Sequence, residues 1–157
     1  KVDLQGSAAP SIQLLSPRRD VIDVRDGLLV GKSAGLAPVL VAVDGGTVID
    51  FVHVSVRQTE RIEVHGFDTA GADVGPLSEP IELVVGDGMR LSPRPYAGAD
   101  RLVGVATSTW VVEPPIAVVL REGTPNRVRL VARQPGSATV KVTMLGVTSS
   151  LELRVVS

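Results

Sequence analysis

The reactive inventory of this chain is short: two histidines, no cysteine, one tryptophan, and carboxylates that are spread rather than clustered. His53 alternates with Phe51 and Ser55, out of phase with Val52 and Val54, which puts it on the outer face of a strand. His65 ends a strand-like run just before Gly66-Phe67-Asp68. A metal site or catalytic relay needs several groups converging on one ring, and these two rings belong to different repeats. Asp68 and Asp73 lie in a Gly- and Ala-rich loop at residues 66–80 that could wrap a cation. Calcium asks for about six to eight oxygens, however, so two solvated carboxylates are the simpler reading. The run Ser55-Val56-Arg57-Gln58-Thr59-Glu60-Arg61 is net basic and offers calcium nothing.

Hydrolytic chemistry fares no better. Thr107-Ser108-Thr109 and Thr148-Ser149-Ser150 present hydroxyls without a nearby histidine or a Gly-x-Ser-x-Gly elbow. Glu113, ahead of Pro114-Pro115, has no second carboxylate that spacing would place beside it. Gly86-Asp87-Gly88 is too short to cradle a phosphate and opens no helix. The expectation is a chain with no catalytic residue, no cofactor and no metal. Trp110 is expected to anchor a core, its N–H finding a carbonyl. A sugar-stacking platform would want further aromatics close by, and Trp110 sits among Ser, Thr and Val.

The elements that carry these residues follow from composition. The 157 residues are 44% hydrophobic and 21% charged, enough to bury a core in one large domain or two modest ones. Val dominates the apolar set, while 16 Gly and 11 Pro punctuate it, which favours short strands and frequent turns over helices. Net charge is −1 with both signs interspersed, so no basic stripe exists to track a nucleic acid. The longest apolar runs, such as residues 39–43, are far too short to insert in a bilayer. Absence of cysteine removes disulfides and leaves the compartment open. The first residue is Lys1 rather than Met, which reads as a processed or excised segment.

The chain repeats itself. Residues 29–41 (LVGKSAGLAPVLV) and 130–142 (LVARQPGSATVKV) align without a gap at a spacing of 101. Downstream, Val52 and Val54 meet Leu153 and Val155 at the same spacing. Upstream, Val24-Arg25-Asp26-Gly27 matches Leu120-Arg121-Glu122-Gly123 once five residues at 124–128 are skipped. Ala138, Val140 and Val142 alternate with Thr139, Lys141 and Thr143, the period-two pattern of a strand buried on one face. Leu151, Leu153 and Val155 would return antiparallel across a connection at residues 145–150. In the first copy, Asp44-Gly45-Gly46 closes the equivalent hairpin. Gly35 and Gly136 precede the inner strand. Further strands are expected at residues 61–65, 81–85, 89–92, 102–106, 110–112 and 117–120, about eight in the second copy, as in a sandwich.

The order of motifs over residues 81–156 resembles the group 2 bacterial immunoglobulin-like repeats of the invasin and intimin type. It runs Leu83-Val84-Val85-Gly86-Asp87, Thr109-Trp110 on a central strand, Arg121-Glu122-Gly123, then Pro135-Gly136-Ser137-Ala138-Thr139-Val140-Lys141-Val142. Residues 20–56 match only its second half. The implied fold is all-β: tandem immunoglobulin-like β-sandwiches, the first one incomplete at residues 1–56 and the second complete at 57–157. Structural positions are expected at Trp110, Gly35, Gly136, Ala37, Ala138, Val39, Val140, Val41 and Val142.

The resemblance implies a non-catalytic spacer or adhesive repeat of an exported bacterial protein, extracellular or on the cell surface, with the periplasm as an alternative. Its partners would be neighbouring domains of the same polypeptide or other protein subunits, with a surface glycan as a further option. Two other functions stay open: a fibre, sheath or surface-layer subunit completed by strand exchange, and a polysaccharide-binding accessory domain of a secreted enzyme. A half sandwich exposes an apolar face and open strand edges. Three sources could close it: a longer polypeptide, residues 1–19, or another subunit.

Overall fold

The computed structural model describes residues 11–77 and 80–157, and the chain divides into two compact units, Lys1–Gln58 and Thr59–Ser157. The described residues form strands and turns, with one short 3-10 turn and no α-helix. That is the outcome expected of a Val-rich chain punctuated by Gly and Pro.

The first unit holds β1 (Gln13–Leu15), β2 (Ile22–Arg25), β3 (Leu28–Gly31), β4 (Gly35–Val43) and β5 (Thr47–Val56). β1, β4 and β5 make a three-stranded antiparallel sheet, and β2 and β3 a separate hairpin closed by Asp26-Gly27, both at positive φ. Val21, Ile22, Ala37 and Val39 form a small core, with Leu14, Val54 and Val56 packed against it. β1 pairs β4 only at Leu40–Ala42, so Pro38 falls where β1 leaves β4 unpaired, a position where a missing N–H is tolerated.

The second unit is a two-sheet β-sandwich. It comprises β6 (Arg61–Phe67), β7 (Asp73–Pro76), β8 (Ile81–Val84), β9 (Gly88–Ala97), β10 (Asp100–Arg101), β11 (Ser108–Glu113), β12 (Ala117–Arg121), β13 (Val128–Ala132), β14 (Gly136–Met144) and β15 (Val147–Val156). One sheet runs β12-β13-β9-β6-β7, with β10 on β9; the other runs β11-β14-β15-β8. All pairs are antiparallel except β8 with β15. Leu91, Leu130 and Ala132 from the first sheet meet Val140, Val142, Leu151 and Leu153 from the second in one core. Each large aliphatic side chain buried there contributes about 2 kcal/mol.

The repeat is visible in the pairing itself. β11, β12-β13 and β14-β15 have counterparts in β1, β2-β3 and β4-β5, joined in the same order. Two details of the sequence alignment need correction. On the returning strand the spacing is 99, because Val54 pairs with Ala37 as Leu153 pairs with Ala138. The first unit carries one extra turn residue and one bulged residue, Ile49, which together shift the register by two. Upstream, the hairpin pairs Arg25 with Leu28 as Leu120 pairs with Arg129, so the difference there is six residues rather than five.

Three strand expectations also change. Residues 102–106 form no strand: Gly104 sits at positive φ and Val103 and Val105 point into solvent. The connection at 145–150 is only Leu145-Gly146, and β15 begins at Val147. The segment 66–80 is not wholly loop, since β6 continues through Phe67 and β7 folds back onto it. The strand that carries Trp110 lies at a sheet edge, not at its centre.

Candidate interaction surface

β6 alternates strictly. Ile62 and Val64 enter the core, so Arg61, Glu63 and His65 stand on the outer face of the sheet. β9 runs beside it and places Arg94 opposite Glu63 and Tyr96 opposite Arg61. β7 pairs alongside β6 at the sheet edge and brings in Asp73, and His65 is only 6% exposed.

His65 Nδ1 lies 3.0 Å from Asp73 Oδ1, and Arg94 forms an ion pair with the other oxygen of the same carboxylate. Nδ1 therefore donates and Nε2 carries the lone pair. Nε2 makes no hydrogen bond and stands 3.6 Å from Glu63 Oε2, an acceptor facing an acceptor. Burial, then the charge of Arg94, depresses the His65 pKa. Hydrogen bonding to Arg61 at 2.9 Å holds the Glu63 carboxyl below its usual range. Arg61 also lies over the Tyr96 ring, 4.3 Å from its centroid.

A histidine with a carboxylate behind it is half of a relay. The other half would be a nucleophile on Nε2, and no such hydrogen bond exists. The cluster instead pins β7 to β6 and β9. The meeting of His65 with Asp73 is set by the folded-back strand, not by local sequence. The one signal available was the phase of Glu63 and His65 against Ile62 and Val64.

Asp68 and Asp73 are each tied to the backbone of their own turn. Asp68 Oδ1 accepts the Ala72 N–H at 2.8 Å and Asp73 Oδ1 accepts the Gly75 N–H at 2.8 Å, so both brace the turn. Among the described residues no three His, Asp or Glu side chains are grouped to hold a metal. His53 is exposed and meets Phe51 edge-on, ring centroids 5.5 Å apart. Trp110 is half-buried against the core, and its N–H reaches the Ser108 hydroxyl at 3.0 Å rather than a carbonyl.

The structure places Ala37, Val39 and Val41 on the buried face of β4, and Ala138, Val140 and Val142 on that of β14. Gly35 and Gly136 open these strands at positive φ, against Val21 and Ile116 respectively.

The larger candidate surface is the core side of the first unit. Leu130 and Leu151 are 0% and 7% exposed in the second unit. Their counterparts by strand pairing, Leu29 and Val52, are 42% and 53% exposed. The difference arises because β13 is flanked by β9 and β15 by β8, whereas β3 and β5 end their sheets among the described residues. Of the stretch at 1–19 considered as a substitute strand, residues 1–10 lie outside the described range. Gln13–Leu15 is the repeat's own β11 counterpart and not a replacement for the missing strands.

Among the described residues no helix is long and apolar enough to cross a membrane. No protein-family model matches the chain, and no curated protein matches it significantly. Among solved structures, domains 4 and 5 of the S-layer protein SbsC align over 99% of this chain and 82% of that one, at 14% identity and a TM-score of 0.45. A longer SbsC chain aligns with 92% of this chain at 16% identity and a TM-score of 0.45, and only 20% of its length is spanned. InvD of Yersinia pseudotuberculosis aligns over 94% of this chain and 47% of its own, at 11% identity and a TM-score of 0.41. Similarity of this depth leaves family and function to be argued from the chain's own residues.

Proposed function

We propose that the chain is a non-catalytic structural and interaction module of an exported bacterial surface protein, built from group 2-type immunoglobulin-like repeats and serving as a spacer. The observation that supports this is that β1–β5 repeat, within their own unit, the strand order and pairing pattern of β11–β15, a repeat of scaffold alone. Neither copy adds a reactive side chain at an equivalent position, which is what a tandem spacer needs and an enzyme does not. The extracellular or cell-surface location belongs to the same reading.

Stretching the chain between two handles in a force spectrometer tests it. The second unit is expected to rupture in one event and release about 35 nm, from roughly 3.6 Å per residue. Gradual extension without a rupture peak would count against a spacer.

A second reading, a subunit of a fibre, sheath or surface layer completed by strand exchange, draws support from the uncovered Leu29 and Val52.

A further inference from the structure

β9 is longer than the partners along one of its edges. β13 covers it only over Gly88–Leu91, and β10 returns at Tyr96 and Ala97. Residues 92–95 lie between them with no strand alongside among the described residues, while β6 continues on the opposite edge. Main-chain groups alternate between the two edges of a strand. Pro95 turns its carbonyl to the gap, where it accepts the Leu102 N–H at 2.9 Å, so Pro93 shares that direction. Both positions that would aim an N–H into the gap are therefore prolines, and β9 leaves no unpaired donor there.

The gap opens into a cavity of about 240 Å³ within the second unit. Pro93, Pro95, Leu102 and Met144 give it apolar walls, and Ser92 and Asn126 add a hydroxyl and an amide. Arg94 and Arg101 supply two guanidinium groups. Arg94 is paired with Asp73, whereas Arg101 is exposed and makes no ion pair among the described residues. Burial, then the charge of Arg101, lowers the Arg94 pKa, the mark of two cations held close together.

The outer face of the sheet stays basic beyond the notch. Arg90 lies in phase with Arg94 on β9, and the exposed Arg129 stands opposite it on β13. The two rings on this face are each covered by a guanidinium: Tyr96 by Arg61, 4.3 Å from its centroid, and Phe67 by Arg127 at 4.1 Å. That removes the stacking surface a nucleic acid would use.

We propose that this notch binds a uronic acid, one carboxylate-bearing sugar residue of an acidic polysaccharide. Arg101 and Arg94 take the carboxylate through paired N–H donors. The C–H face of the sugar ring lies on Pro93, Pro95 and Leu102, and Ser92 and Asn126 meet its hydroxyls. The cavity is smaller than the roughly 300–1,000 Å³ of a pocket for a drug-sized ligand, which suits a single sugar unit. Arg129 offers a further cation to the chain outside. Trp110, the residue weighed above for sugar stacking, does not line this cavity.

The test is calorimetric titration of the full chain with a galacturonate hexasaccharide at low salt. Saturable binding is expected, with amide NMR shifts at Arg101, Leu102 and Asn126. Arg101→Gln should weaken it about tenfold or more, and Arg101→Lys, which keeps the charge but not the paired donors, about threefold. Asn126→Gly, which keeps the positive φ of that position, should also weaken it about threefold. Arg154→Gln, on the other sheet, should leave it within about twofold, and the methyl-esterified hexasaccharide should bind about tenfold more weakly. Absence of saturable binding overturns the proposal, as does equal binding of the ester. Equal weakening by Arg101→Gln and Arg154→Gln would reduce the effect to general charge and overturn it too. A glutamate peptide or polyphosphate bound as tightly, with the same dependence on Arg101, would make the ligand another class of polyanion and likewise overturn it. None of these outcomes touches the spacer reading, which the rupture of the second unit decides separately.

Discussion

Leu14 faces Val41 across β1 and β4 as Trp110 faces Val142 across β11 and β14. The two side chains hold one position of a repeated sheet, and each packs half-buried on its own unit's core. The equivalence joins a leucine to the chain's only tryptophan. At Trp110 the larger ring packs against the core between the two sheets of the second unit.

Trp110→Ala is therefore expected to lower the stability of the second unit by about 2–3 kcal/mol, below the full cost of a wholly buried aromatic. Urea unfolding followed at Thr59–Ser157 measures it. Unchanged stability together with lost binding on a glycan array would instead revive the polysaccharide-binding reading.

His65 predicts a pH slope. Burial and Arg94 depress its pKa in the folded state, while the unfolded chain takes its proton near the ordinary histidine value. The unfolded state then binds more protons below about pH 6.5, so stability is full above that value and falls as pH drops toward the lowered pKa. Denaturant titrations at pH 7.5 and 5.5 should show the fall, and His65→Gln should flatten it. An equal slope in the variant would place the titration elsewhere.

The same substitution should behave differently in the two units. Leu130→Ala empties a fully buried site and is expected to remove about 3 kcal/mol, whereas Leu29→Ala, at its exposed counterpart, should change stability by under about 1 kcal/mol. Comparable losses at both positions would mean that Leu29 is covered in solution.

Leu145 and Gly146 make a two-residue hairpin turn with φ of 51° and 80°. Gly146 suits that conformation, and an exposed leucine does not. Leu145→Asn is expected to raise stability by about 0.5–1 kcal/mol in thermal unfolding. A loss would show that the leucine side chain makes contacts worth more than its backbone strain.

Much of this fold was legible because strands announce themselves by phase. Ala138, Val140, Val142 and Met144 point inward in strict alternation, and the gapless repeat over 29–41 and 130–142 identified the same two consecutive strands twice. Turn chemistry was legible where Asp-Gly or Gly-Gly stood, and illegible at Leu145, whose type gives no hint of positive φ. The run at 102–106 misled because Val103 and Val105 alternate like a strand, yet nothing pairs with them.

The sequence by itself determined an all-β chain, its internal repeat, and the shortage of reactive side chains, since these depend on local phase and residue type. Only the tertiary structure decided which edges are paired. That β8 and β9 flank β15 and β13, while β5 and β3 lack such neighbours among the described residues, depends on contacts between distant segments. So does the meeting of His65, Asp73 and Arg94, residues 8 and 21 apart along the chain that one folded-back hairpin brings together. Alternation states which face a side chain takes, but not what arrives to cover it.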